Sequence, residues 1–208
     1  MMKIAVLVSG GGTNLQAIID SIDNGHLTNV SIEVVIASNA NAFALERAKN
    51  HGIASLVITR KAYETMEAYD EAMLGAITSS GAELVVMAGF LSLLGPKVVQ
   101  KYANRILNIH PALIPSFCGK GMYGIRPHEA VLARGVKVSG ATVHLVNEFY
   151  DEGPILLQKA VDVLPNDTPE TLQKRIMKEC EQVILPQAIQ CMADNKVVIE
   201  NNLAKIVD

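Results

Sequence analysis

The sequence predicts an α/β fold: a mostly parallel sheet flanked by helices, with an antiparallel β extension in the C-terminal half. Three observations carry that expectation. Apolar, strand-like runs alternate with helix-period segments through the first half. The apolar content is Val, Ile, Leu and Ala, with 4% aromatics and no Trp, which suits strands buried on both faces. After residue 135 the alternation gives way to two long β-rich runs.

In order, "KIAVLVS" (3–9) reads as a strand and "TNLQAIIDSIDNG" (13–25) as a helix ended by Gly25. "IEVVIAS" (32–38) is a second strand, followed by a helix over 41–52 closed by Gly52. "SLVIT" (55–59) is a third strand, 63–81 a long helix and "ELVVMAG" (83–89) a fourth strand. Pro96 opens a short helix over 95–104, and "RILNIH" (105–110) is a fifth strand. "KVSGATVHLVNE" and "GPILLQKAVDV" are the β-rich runs, joined through "FYDEG". A helix over 168–192 closes the chain, with Thr168 as its cap, Pro169 at its first position and Leu172, Ile176, Cys180 and Ile184 on one face. No repeat or linker divides the 208 residues, so one domain over 1–208 is the economical expectation.

The formal net charge of −3 argues against nucleic acid as the main partner, because binding a phosphate backbone needs a basic face. The longest apolar runs are too short to span a bilayer, and no cleavable signal opens the chain. No membrane partner is expected, and the location expected is cytoplasmic. Cys118, Cys180 and Cys191 are odd in number and lack CxxC spacing. They read as free thiols in a reducing compartment, with no zinc site.

"LVSGGGTNLQ" (7–16) links the first strand to the first helix. Amides at a helix start point outward, and glycines let an anion approach them closely, so Gly10, Gly11, Gly12, Thr13 and Asn14 suit a phosphate monoester. Two nucleotide patterns fail. GxGxxG would need glycine where Leu15 stands, and GxxxxGK[ST] is absent. The alternative is a tight turn that binds nothing.

"LNIHP" places Asn108 and His110 at the end of an apolar strand, on one face by alternation. Ligands of open parallel sheets sit beyond such strand ends. "YDEGP" (150–154) adds Asp151 in a loop between two long strands. An amide that donates to an oxyanion, an imidazole near neutral pKa and a carboxylate that orients it together suit acyl transfer. No GxSxG elbow is present, and nothing marks Cys118 as an activated thiolate. His26, His51 and His128 read as satisfied packing residues, and His144 as intermediate.

Together, "VLVSGGGTNLQAIID", "MAGFLSLL", "ILNIHPALIPSF", "TVHLVNEFYDEGPIL" and "ECEQVILP" resemble the phosphoribosylglycinamide formyltransferases, within the folate-dependent formyltransferase superfamily. The resemblance implies a Rossmann-like sheet and transfer of a formyl group from 10-formyltetrahydrofolate, the co-substrate, to the amine of glycinamide ribonucleotide in purine biosynthesis. It implies Asn108, His110 and Asp151 as the catalytic residues. Gly11, Gly12, Thr13 and Asn14 would hold the substrate phosphate, with Glu181 near its ribose. Leu91, Ser92, Leu94, Val99 and His144 would lie on the folate side, and His144 would match a histidine often found near the catalytic Asp. No metal is implied, and a monomer or homodimer is expected.

Ser92 stands where relatives often carry Arg, and Met66 where a basic residue can reach the folate tail. The glycine-dense "SFCGKGMYGIRPHEAV" (116–131) reads as a lid or as a surface loop. Two relatives of the superfamily are rivals: methionyl-tRNA formyltransferase, expected to extend further at its C-terminus, and formyltetrahydrofolate deformylase, expected to extend at its N-terminus. A third reading is an inert phosphosugar- or folate-binding module.

Overall fold

A computed structural model describes residues 1–207. The chain forms two compact units, Met1–Asn108 and Ile109–Asp208.

In the first unit, β1 (Met2–Val8) pairs in parallel with β2 (Val30–Ala37) and with β4 (Leu84–Met87). β2 pairs with the short β3 (Ser55–Val57), and β4 with β5 (Ile106–His110), where Met87 faces Asn108 in register. The spatial order β3-β2-β1-β4-β5 is that of a Rossmann-like sheet. Ile4 to Val8 and Leu84 to Val86 are fully buried, which is why their sequences are unbroken apolar runs rather than alternating ones. The helices are α1 (Thr13–Asp23), α2 (Ala44–Asn50), α3 (Met66–Ser79) and α4 (Pro96–Lys101). Leu15, Ile18, Tyr69, Met73, Ile77 and Val98 give these helices their buried faces. Asp70 is a buried carboxylate, and its charge is satisfied at the start of α4, where it accepts from the Lys97 amide at 2.7 Å and the Val98 amide at 3.3 Å.

The second unit holds α5 (Arg126–Arg134), the antiparallel pair β6 (Val138–Leu145) and β7 (Ile155–Asp162), and α6 (Pro169–Ile176). Thr168 caps α6 with a reciprocal bond to Thr171. The register of β6 with β7 slips between Val143 and His144. Such a bulge re-aims the side chains beside it. Leu145, Leu172, Ile176, Cys180 and Ile189 are fully buried.

Two sequence expectations change. The late helix is not continuous over 168–192: a π-turn, Met177–Glu181, separates α6 from α7 (Gln182–Ala193). Pro186 lies inside α7, where it has no N–H for the carbonyl four residues earlier. A C-terminal hairpin, β8 (Val197–Glu200) and β9 (Leu203–Ile206), was not anticipated. Its turn residues Asn201 and Asn202 both have positive φ, 50° and 60°, the type I′ geometry that matches strand twist. Otherwise the fold follows the expectation, mostly parallel with antiparallel pairing in the C-terminal half.

Candidate active site

His110 ends β5, and the chain then turns through Pro111 to Pro115. That turn is fixed by side chains of the β6–β7 pair. The buried Thr142 hydroxyl donates to the Ala112 carbonyl at 2.7 Å and accepts from the Ile114 amide at 3.1 Å. Gln158 donates to the Ile114 carbonyl at 2.9 Å. Asp151 lies in the β6–β7 connection. Gly153 anchors the far side of that connection, because a Cβ there would stand 1.7 Å from the Leu145 carbonyl oxygen. The "DEGP" motif therefore needs a residue without a side chain at its third position.

These constraints bring three titratable side chains together. Asp151 Oδ2 is 3.7 Å from His110 Nδ1, and Asp151 Oδ1 is 3.5 Å from His144 Nε2. The two imidazoles are 4% and 2% exposed and the carboxylate 14%, so solvent screens the cluster weakly. The second nitrogen of each ring bonds backbone: His110 Nε2 donates to the Phe117 carbonyl at 2.9 Å, and His144 Nδ1 to the Leu145 carbonyl at 3.1 Å. Asp151 Oδ2 also accepts from the Gly119 amide at 2.8 Å.

Backbone strain marks the same place. Among the described residues seven non-glycines have positive φ; five are Asn, which tolerates the left-handed region, and the other two are Phe117 (53°) and Asp151 (56°). For a residue such as Phe117 this costs on the order of 1–3 kcal/mol, and such strain concentrates at functional sites.

Burial lowers the His110 pKa, and the charge of His144 adds to that effect, against the opposing pull of Asp151 and the Phe117 carbonyl. Burial disfavours ionised Asp151, but contact with His144, the charge of His110 and the Gly119 amide outweigh it and hold the carboxyl below its ordinary range. The Cys118 thiol is pushed up by burial and by Asp151 and Glu152, the opposite of what a nucleophilic thiolate needs. The sequence reading missed His128. It is completely buried as expected of a packing residue, yet neither ring nitrogen has a hydrogen-bond partner among the described residues. Burial, followed by the nearby His110, drives its pKa down to about 4. An ordinary Arg-Pro-His run at a helix start carries no signal for this.

The glycine turn belongs to the first unit. Gly12 precedes α1 with φ 68°, and a Cβ there would stand 2.6 Å from the Ala44 Cβ, so any other residue is excluded twice over. Arg47, also missed from sequence, donates from Nε to the Gly11 carbonyl at 2.8 Å and from Nη1 to Gln16 Oε1 at 2.9 Å. It sets a guanidinium beside the turn. Thr13 is half-buried and Asn14 buried at the first positions of α1. Ser9, just before the turn, bonds Ser38 at 2.6 Å and accepts from the Leu91 amide at 2.8 Å. The side chain of Leu91 is exposed, Leu94 is buried, and Ser92 and Val99 lie between. Asn108 is half-buried in β5, and Glu181 is buried in the π-turn. Among the described residues no three His, Cys, Asp or Glu side chains are grouped to hold a metal ion, and no helix is long and apolar enough to cross a membrane.

The chain belongs to the formyl transferase family, whose members its residues 2–189 match. The particular relatives are consistent. Phosphoribosylglycinamide formyltransferase of Escherichia coli strain K12 is 36% identical over 203 residues, which cover 98% of this chain and 92% of that protein. The chloroplastic phosphoribosylglycinamide formyltransferase of Arabidopsis thaliana is 38% identical over 94% of this chain, which spans 66% of that relative's length. The crystal structure of glycinamide ribonucleotide transformylase 1 from Symbiobacterium toebii matches with a TM-score of 0.94 at 42% identity, over 100% of this chain and 95% of that one.

Proposed function

We propose that the chain transfers the formyl group of 10-formyltetrahydrofolate to the amine of glycinamide ribonucleotide, the phosphoribosylglycinamide formyltransferase reaction of de novo purine biosynthesis. The convergence of His110, His144 and Asp151 in a member of the formyl transferase family carries this reading. The substrate amine attacks the formyl carbon directly. A carbon–nitrogen bond forms, the formyl oxygen becomes an oxyanion, and the bond to the folate nitrogen then breaks. Asn108 donates to that oxygen, and His110, once protonated, stabilises its charge. Asp151 supports the cationic ring and helps pass one proton, through water, from the attacking amine to the leaving nitrogen. The raised pKa of the Cys118 thiol supports direct attack over a thioester.

Gly11, Gly12, Thr13 and Asn14 bind the substrate phosphate through amides and a hydroxyl, and Glu181 the ribose. Leu91, Ser92, Leu94 and Val99 form the folate side, with His144 at its edge. An amide, an imidazole and a carboxylate supply every group the transfer requires, so the reading includes no metal. The chain acts as a single catalytic domain in the cytoplasm, as a monomer or homodimer.

The test is an absorbance assay with 10-formyldideazafolate as donor. Turnover that requires glycinamide ribonucleotide is expected. Formate release without acceptor would instead assign a deformylase, and folate binding without either reaction an inert binding module.

A further inference from the structure

Helix α2 holds the glycine turn by its carbonyls. The Ala44 amide donates to the Gly10 carbonyl at 3.1 Å, and Arg47 Nε donates to the Gly11 carbonyl at 2.8 Å. The peptides that follow Gly10 and Gly11 are trans, so the N–H of each points away from its C=O. The amides of Gly11 and Gly12 are thereby turned to the side opposite α2.

The glycines of the turn differ in their causes. Gly12 is required by the fold, through its positive φ and its contact with Ala44. Gly10 and Gly11 are exposed, have no positive φ, and a Cβ at either would meet no atom within 4 Å. Neither backbone conformation nor a neighbour within the chain explains glycine at these two positions. What glycine adds there is backbone that a ligand can approach closely.

Arg47 is itself fixed from several sides. Nη1 donates to Gln16 Oε1 at 2.9 Å, and Gln16 is held in turn by donating to Asp20 Oδ1 at 2.8 Å. The guanidinium carbon lies 5.1 Å from the centre of the Phe43 ring. Among the described residues no carboxylate forms an ion pair with it. A cation that donates to a carbonyl polarises the whole peptide, and the N–H on the far side becomes a stronger donor.

We propose that Arg47 is a positioning residue for the substrate phosphate: it fixes and polarises the Gly11–Gly12 peptide so that the Gly12 amide meets the anion. The inference rests on the phosphate reading of the turn given above. It assigns the role to the planar fork of the guanidinium, which bonds Gly11 and Gln16 at once, and not to positive charge alone.

Amide NMR of the full-length chain, titrated with inorganic phosphate against chloride at equal ionic strength, tests this. In the wild-type chain the Gly11 and Gly12 amides are expected to shift saturably. Arg47→Gln should weaken phosphate binding about tenfold. Arg47→Lys keeps the charge but has no second arm, and should remain weakened several-fold. KM for the ribonucleotide should rise in step, with kcat and the folate KM unchanged. A merely structural role would lower kcat and the melting temperature and raise both KM values together. Wild-type phosphate affinity in either variant would overturn the proposal and leave the phosphate site standing. No response of Gly11 and Gly12 in the wild-type chain would remove the site and the proposal with it. If Arg47→Gln does not fold, Arg47→Lys decides alone.

Discussion

The turn at residues 10–14 presents backbone, whereas the cluster of His110, His144 and Asp151 presents side chains. In the turn, what matters is what is missing: Gly12 has no Cβ to strike Ala44. In the cluster, everything depends on which atoms meet, and two of the three contacts to Asp151 come from rings whose other nitrogens are already spent. A site made of backbone depends on residue type in one short segment. A site made of side chains depends on pairings made by the fold, here His110 and His144 with Asp151, and it is therefore the one that pH can tune.

The comparison breaks first at Asp151. Asp151→Asn should lower kcat by roughly 10³-fold, within the range that general acid–base groups supply, and leave KM for the ribonucleotide within a few-fold. Steady-state kinetics against both substrates decides; near-normal turnover removes the carboxylate from the chemistry.

The next effect is on stability. A histidine whose folded pKa lies below its unfolded value of about 6.5 stabilises the fold fully above pH 6.5, and the contribution is lost as pH falls toward the folded value. For His128, with a pKa near 4, the loss reaches about 3 kcal/mol at pH 4. His110 contributes in the same sense, while the lowered Asp151 pKa acts only below about pH 4. His128→Phe should therefore flatten, without abolishing, the fall in urea midpoint between pH 6.5 and 4. An unchanged slope would show that His128 titrates normally.

The smallest effect belongs to the turn. Thr13→Ala with Asn14→Ala should raise KM for the ribonucleotide about 10- to 100-fold, with kcat and the folate KM within a few-fold. An equal rise in both KM values would discredit a phosphate site there. The effect should also be flat with pH from 6 to 9, in contrast with every change in the cluster.

Legibility in the sequence follows the same divide. Unbroken apolar runs such as "KIAVLVS" and the glycine-rich turn after it declared strand, turn and helix, because local periodicity and glycine content are themselves the physical cause. Asn108, His110 and Asp151 were picked out as residue types at strand ends. That His144 stands beside Asp151 followed only from the family resemblance; the residues themselves do not show it, because it depends on a register slip between two strands. His128 looked ordinary, since burial of both its nitrogens is a tertiary fact. Arg47 sits on a helix with no motif, and only the fold brings it to Gly11. The π-turn was missed because Pro186 falls within an otherwise regular amphipathic pattern, and the last hairpin because its strands are short and its faces largely exposed.

The Leu145 carbonyl serves two masters. It takes the proton of His144 Nδ1, and it is the atom that a methyl group at position 153 would strike. A lineage that exchanged Gly153 for alanine would displace that oxygen and loosen the ring that faces Asp151. The heritable change would lie in a residue with no functional group, yet its effect would be felt at a carboxylate two positions away.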